Sequence, residues 1–127
     1  MHAAESALAK KATDTIVLDL RGLAFFTDFF VICSGASTTQ VKAIVEHIEE
    51  ELHKESAKPL SIEGLNHAHW VLVDYGDVVV HVFEEETRAY YELEKLWLDA
   101  QRVIVDESGP VRPGKELTPI KSERPAV

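Results

Sequence analysis

Trp70-Val-Leu-Val-Asp-Tyr-Gly-Asp-Val-Val-Val-His-Val-Phe83 reads as a β-hairpin, and its register decides how the rest of the chain must be arranged. Two runs rich in β-branched residues flank Gly76-Asp77, the kind of two-residue turn that closes tight hairpins. Such a turn pairs Tyr75 with Val78, Val73 with Val80 and Val71 with Val82, and those six residues share one face. The opposite face carries Trp70 with Phe83, Leu72 with His81, and Asp74 with Val79. The first face is uniformly apolar, with Tyr75 at its rim, and is expected in the core. The second mixes two large aromatics, an imidazole and a carboxylate, as recognition surfaces do. Two readings of it stay open: an exposed patch, or a face covered by a helix with His81 hydrogen-bonded inside. A slip of one residue would exchange the two faces.

Upstream of the hairpin, residues 29–34 form an almost wholly apolar run, predicted as a strand buried on both faces. Gly35-Ala36 breaks it. Ser37 with Gln40 three residues on is a capping box, and it opens a helix whose stripe is Val41, Ile44, Val45, Ile48 and Leu52. Residues 15–20 read as an earlier strand closed by Arg21-Gly22, residues 58–63 as a short third strand, and residues 5–13 as a short N-terminal helix. Downstream, residues 85–100 read as one helix with Ala89, Leu93, Leu96, Trp97 and Ala100 inward. Glu84, Glu85 and Glu86 lie at its positive end, where the helix dipole favours acids. The order α-β-β-α-β-β-β-α predicts an α/β or α+β fold: a mixed sheet of up to five strands flanked by helices.

The 127 residues fit one domain, and 46% hydrophobic with 28% charged residues is enough for a core without staples. Thirteen Lys and Arg stand against twenty-two Asp and Glu, a formal charge of -9. Phosphate-driven nucleic-acid binding needs clustered basic side chains, so this balance argues against it and favours a basic partner. Residues 101–127 hold four of the five prolines and a slight excess of basic residues. The expected division is a domain over residues 1–103 and a Pro-rich, flexible tail over 104–127. A single cysteine, Cys33, makes no internal disulfide. No apolar run approaches the roughly 20 residues of a membrane span, and the start, with Glu5 so early, does not read as a secretory signal. The expected location is the cytoplasm.

The familiar catalytic patterns are weak. His67-x-His69 sits in a loop with nothing to fix further ligands, so no metal is expected. Cys33 lies in an apolar strand and reads as inert. Ser34-Gly35-x-Ser37, between strand and helix, has the form of a phosphate-cradling turn, but the signal is short and unspecific, and a plain strand-to-helix turn with an N-cap is the favoured explanation. Asp19, Asp28, Glu63, Asp74 and Asp77 include no Asp-x-Asp pair. No cofactor and no catalytic constellation emerges.

Four ordered blocks carry a resemblance. Val17-Leu-Asp-Leu-Arg-Gly22, Asp28-Phe-Phe-Val-Ile-Cys-Ser-Gly35, Ser37-x-x-Gln-Val-Lys-Ala-Ile44 and the Trp70-to-Phe83 stretch resemble the ribosomal silencing factors, the Iojap family, and residues Arg88, Tyr91, Leu93, Glu94 and Trp97 complete the pattern. The resemblance covers about residues 5–100. It implies a nucleotidyltransferase-like fold without known catalysis. It also implies binding to the large ribosomal subunit through that subunit's fourteenth protein, which blocks subunit joining and lowers translation when nutrients are scarce. Trp70, Asp74, Tyr75, His81 and Phe83 match the family motif. The expected contact set adds Leu72 as support and Asp77 at the turn, with Trp70 and Phe83 as apolar anchors and Asp74 facing a basic residue. A secondary contact with ribosomal RNA and a homodimer built on the same patch stay open, as does a cryptic nucleotidyltransferase-like protein that binds nucleotide at Ser34-Gly35.

Overall fold

The computed structural model describes residue 3 and residues 12–97, 100–106 and 109–112; of 105, 106 and 109–112 it describes the backbone alone. The predicted N-terminal helix falls on residues that, apart from Ala12 and Thr13, lie outside this set. Among the described residues seven strands run β1 (Thr13–Asp19), β2 (Phe29–Gly35), β3 (Ser61–Glu63), β4 (Trp70–Asp74), β5 (Val78–Glu84), β6 (Gln101–Asp106) and β7 (Gly109–Arg112). They form one sheet in the order β3-β4-β5-β2-β1-β6-β7. Only β2 and β5 are parallel; every other neighbouring pair is antiparallel. The fold is α+β with a mixed sheet, as expected, but two strands larger than the predicted maximum. The extra two are β6 and β7, so residues 104–106 and 109–112, assigned above to the tail, extend the sheet instead. The β1 strand has a free edge once β2 takes its other side, and the β-branched run at 103–105 covers it.

Helix α1 (Thr38–His53) begins where the capping box placed it: the Gln40 N–H donates to Ser37 Oγ at 3.2 Å. Its stripe Val41, Ile44, Val45, Ile48 and Leu52 is buried against one sheet face, on Val17, Val31, Cys33, Val71, Val73, Val80 and Val82. Burying such a side chain is worth about 1.5–3 kcal/mol, so this layer is the larger stabilising half of the domain. Cys33 is fully buried there, and burial pushes its thiol up to about 12.

The other face packs Ile16, Leu18, Leu20, Phe30, Ile32, Val79 and Phe83 beneath Leu93 and Ala100, with Trp97 half-buried. One continuous helix over residues 85–100 does not form. Helix α2 (Glu85–Tyr91) stops at Glu92, which takes a left-handed conformation with φ of 50°, and a 3-10 turn follows over Leu93–Trp97. The break has a tertiary cause. Residues six apart on an unbroken helix are roughly 240° apart around its axis and cannot meet. Here Arg88 Nε donates to Glu94 Oε2 at 2.6 Å, and the chain reverses to allow it. Ala89 and Leu96, expected inward, are therefore exposed, whereas Leu93 and Ala100 are buried.

Candidate functional site

The hairpin holds the predicted register at every position: Trp70 faces Phe83, Val71 faces Val82, Leu72 faces His81, Val73 faces Val80 and Asp74 faces Val79. Gly76 closes the turn at φ of 93°, where a side chain would be strained. Asp74 Oδ1 accepts the Gly76 N–H at 2.7 Å, and the Tyr75 N–H donates to the Val78 carbonyl at 2.8 Å. The Asp77 carbonyl accepts from Asp28 and Phe29, which ties the turn to the start of β2.

The candidate residues divide into three groups. Trp70, Leu72 and Asp74 are half-buried along one face of β4, and Asp77 is exposed at the tip. These four make an accessible edge with two acids at one end. Phe83 and His81, on the same face, are covered: Phe83 is fully buried and His81 is 3% exposed. The indole of Trp70 stacks on Phe83 with centroids 4.7 Å apart, and its Nε1 donates to His81 Nδ1 at 3.1 Å. Phe83 is thus the floor beneath Trp70 rather than a direct anchor, and His81 positions the indole. The covered-face reading applies to β5 and the open-patch reading to β4. Tyr75 lies on the α1 side with Val73, so the structure does not bring it to this edge. Its hydroxyl is buried with no hydrogen-bond partner among the described residues, and burial, with Glu49 nearby, pushes it up to about 12.

Among the described residues His81 has a single hydrogen-bond partner, and burial pushes it down to about 4. Accepting the indole hydrogen at Nδ1 requires the neutral ring with its proton on Nε2. The ring neighbours Phe30, Trp70 and Phe83 bring no carboxylate to pair with an imidazolium, so burial decides the direction.

The Ser34-Gly35 turn is engaged from within the fold. Arg88 Nη1 donates to Ser34 Oγ at 2.9 Å and to the Asp14 carbonyl at 2.7 Å, while its Nε pairs with Glu94. The Ser34 hydroxyl therefore already accepts a hydrogen bond from within the fold. His67 and His69 are exposed loop residues, and His69 Nδ1 meets Glu84 Oε1 at 2.7 Å. Among the described residues no group of three or more His, Cys, Asp and Glu is placed to hold a metal ion, and no helix is long and apolar enough to cross a membrane.

Hydropathy alone does not reveal two exposed aromatic features, of which the first lies beside this edge. Tyr90 and Tyr91 project from α2 and are 80% and 55% exposed, with Tyr91 5.2 Å from the Trp70 ring. Leu23, Phe25 and Phe26, between β1 and β2, are also exposed, and Phe26 approaches Trp97 at 6.1 Å. Read as one long helix, residues 85–100 gave no sign that the tyrosines would stand beside Trp70.

Residues 1–126 match the family described as "Ribosomal silencing factor during starvation". Ribosomal silencing factor RsfS of Bacillus subtilis (strain 168) is 45% identical over 97 residues, which is 76% of this chain and 82% of that protein. The maize protein "Protein Iojap, chloroplastic" is 38% identical over 97 residues, covering 76% of this chain and 42% of its own length. A crystal structure from Bacillus halodurans superposes with a TM-score of 0.69 at 43% identity, covering 76% of this chain and 90% of the other. Another, from Chromobacterium violaceum, gives a TM-score of 0.73 at 37% identity, covering 75% and 79%. With the hairpin, the helix stripe and the sheet order all in place, this chain belongs to the ribosomal silencing factor (Iojap) family.

Proposed function

We propose that this protein is a translational repressor of the cytoplasm. It binds the large ribosomal subunit through that subunit's fourteenth protein, blocks joining of the small subunit, and acts when nutrients are scarce. The family match over residues 1–126 carries this reading. The β4 edge supports it: Trp70 and Leu72 offer half-buried apolar surface, and Asp74 and Asp77 offer acid to a basic protein. The net charge of -9 adds long-range attraction to such a partner. The role proposed is occlusion without catalysis, in keeping with a Ser34-Gly35 turn that has no Asp-x-Asp pair in the sequence to accompany it. Ribosomal RNA makes at most a secondary contact, and a homodimer through the same edge would compete with the ribosome.

Co-sedimentation with separated subunits, followed by a subunit-joining assay, tests the proposal. The wild-type chain should pellet with the large subunit and reduce joining. Asp77→Lys changes only an exposed turn residue, and should weaken binding about fivefold at low salt, with a weaker dependence on salt because part of the screened attraction is gone. Trp70→Ala should weaken it by tenfold or more, the usual effect of removing an aromatic anchor. That variant also uncovers Phe83 and removes the partner of His81, so Trp70→Phe, which keeps the stack, is its control. Asp74→Lys is a poorer probe because it deletes the carboxylate that holds the Gly76 amide. A folded wild-type chain that ignores the large subunit would refute the proposal. Normal binding by both Asp77→Lys and Trp70→Ala would move the contact elsewhere.

A further inference from the structure

An open groove of about 700 Å³ lies on the far side of Trp70, between the loop that enters β4 and helix α2. Its lining includes Trp70, Tyr90 and Tyr91 together with Glu84 and Glu86, and His67 and His69 on the side of the loop. The Tyr90 and Tyr91 rings meet edge to face at 5.0 Å, and Tyr91 is tilted 45° to Trp70, so the three rings form a bent wall. Neither Lys nor Arg is among its lining residues. His69 occupies one oxygen of Glu84, whereas Glu86 has no ion-pair partner among the described residues. With Trp70, the two exposed tyrosines make one contiguous aromatic surface, a feature that marks interaction sites.

Aromatic faces joined to carboxylates select a cation. A positive group within about 6 Å of a Trp or Tyr ring is attracted by the ring quadrupole, and a carboxylate beside it adds charge pairing. Arginine fits better than lysine here. Its planar guanidinium stacks on a ring while its edge donates two parallel hydrogen bonds to a carboxylate, which a compact ammonium cannot do. We propose that this groove receives an arginine side chain of the basic protein bound by the β4 edge, stacked against Trp70 and Tyr91 and paired with Glu86. The identity of that protein rests on the function proposed above; the chemistry of the groove does not. Trp70 would then be shared, one part of the indole meeting the partner at the β4 edge and another meeting the arginine.

Two experiments separate the claims. The first uses no ribosome: the full chain, isotopically labelled, is titrated by NMR with acetyl-arginine amide, acetyl-lysine amide and acetyl-citrulline amide. The arginine compound should shift the Trp70 indole N–H and the amides of Glu86 and Tyr91, with binding in the range of tens of millimolar expected for one side chain. Citrulline, similar in shape but uncharged, should bind at least about tenfold more weakly. The second measures large-subunit binding by Glu86→Gln and Tyr91→Leu, both changes at exposed positions that should leave the chain folded, with at most a few degrees lost in melting temperature. Each should weaken binding about five- to tenfold. Shifts confined to residues outside the groove, equal binding by citrulline, or equal binding by lysine would overturn the arginine assignment. So would unchanged subunit binding by both variants while the wild type binds. If the wild type does not bind the subunit at all, the proposed function fails, and the titration alone decides the groove.

Discussion

Arg88→Met should lower the stability of this domain by about 3 kcal/mol, near the loss seen when one member of a buried ion pair is removed. A surface pair would be worth at most about 1 kcal/mol, so the location of this one decides its magnitude. The side chains of Arg88 and Glu94 are only 12% and 17% exposed. Methionine would fill most of the volume of the arginine stem but leave the Glu94 carboxylate without its cation. It would also release Ser34 Oγ and the Asp14 carbonyl, the two further acceptors of the same guanidinium. Arg102 approaches from β6 and donates to the Glu94 carbonyl, but burial already disfavours its own charge, so it compensates only in part. Urea unfolding gives the number directly, as a lower midpoint at unchanged slope. The double variant Arg88→Met/Glu94→Leu should regain much of the loss, because its cost is the orphaned carboxylate rather than a missing attraction. A loss below about 1 kcal/mol in the single variant would show that water reaches the pair and that α2 is held by Leu93 and its neighbours instead.

The same ion pair marks where the fold stopped being legible in the amino-acid sequence. Local rules sufficed for the hairpin, because a two-residue turn leaves one register and Gly76 supplies the positive φ it needs. They sufficed for α1 as well, where cap and stripe agree. They failed at Glu92, a residue with no local reason to turn left-handed; the reversal there serves a contact six residues apart and the burial of Leu93. They failed again at β6, whose apolar run is short and whose partner, β1, is more than eighty residues away in the chain. The site inherits both failures. Which residues lie on the Trp70 face could be read from alternation alone. How much of that face is covered depends on the reversal at Glu92, which lays Leu93 and Trp97 over β5 and leaves β4 open. Phe83 and His81 therefore sank below the surface, while Tyr90 and Tyr91 rose beside it.

Stability should fall by about 3 kcal/mol as pH drops from neutral to 4, and His81 should account for it. In the unfolded chain this imidazole takes up its proton near pH 6.5, whereas burial in the fold lowers that value to about 4. Between those two values the unfolded chain binds a proton that the folded one refuses. The contribution is complete above pH 6.5, declines through the window and levels out below pH 4. The shift of roughly 2.5 pH units corresponds to about 3 kcal/mol at 1.36 kcal/mol per unit. Carboxylates titrate over part of the same range, so the test is a difference: urea unfolding of the wild type and of His81→Leu at pH 7.5 and pH 4.5. The variant should be less stable at pH 7.5 by about 1 kcal/mol, having lost the acceptor of the Trp70 indole, but much flatter with pH. Equal pH dependence in the two proteins would refute the assignment and return the effect to the carboxylates. If the dependence is His81's own, it has a consequence for the site. The proton that enters at low pH must go to Nδ1 if Nε2 already carries one, and Nδ1 is the atom that holds the Trp70 indole. Acid should then free Trp70 from its seat on β5 before the sheet comes apart, visible as a change in Trp70 fluorescence in a Trp97→Phe background. The edge that is proposed to meet the ribosome is therefore kept in place by a histidine that must stay neutral.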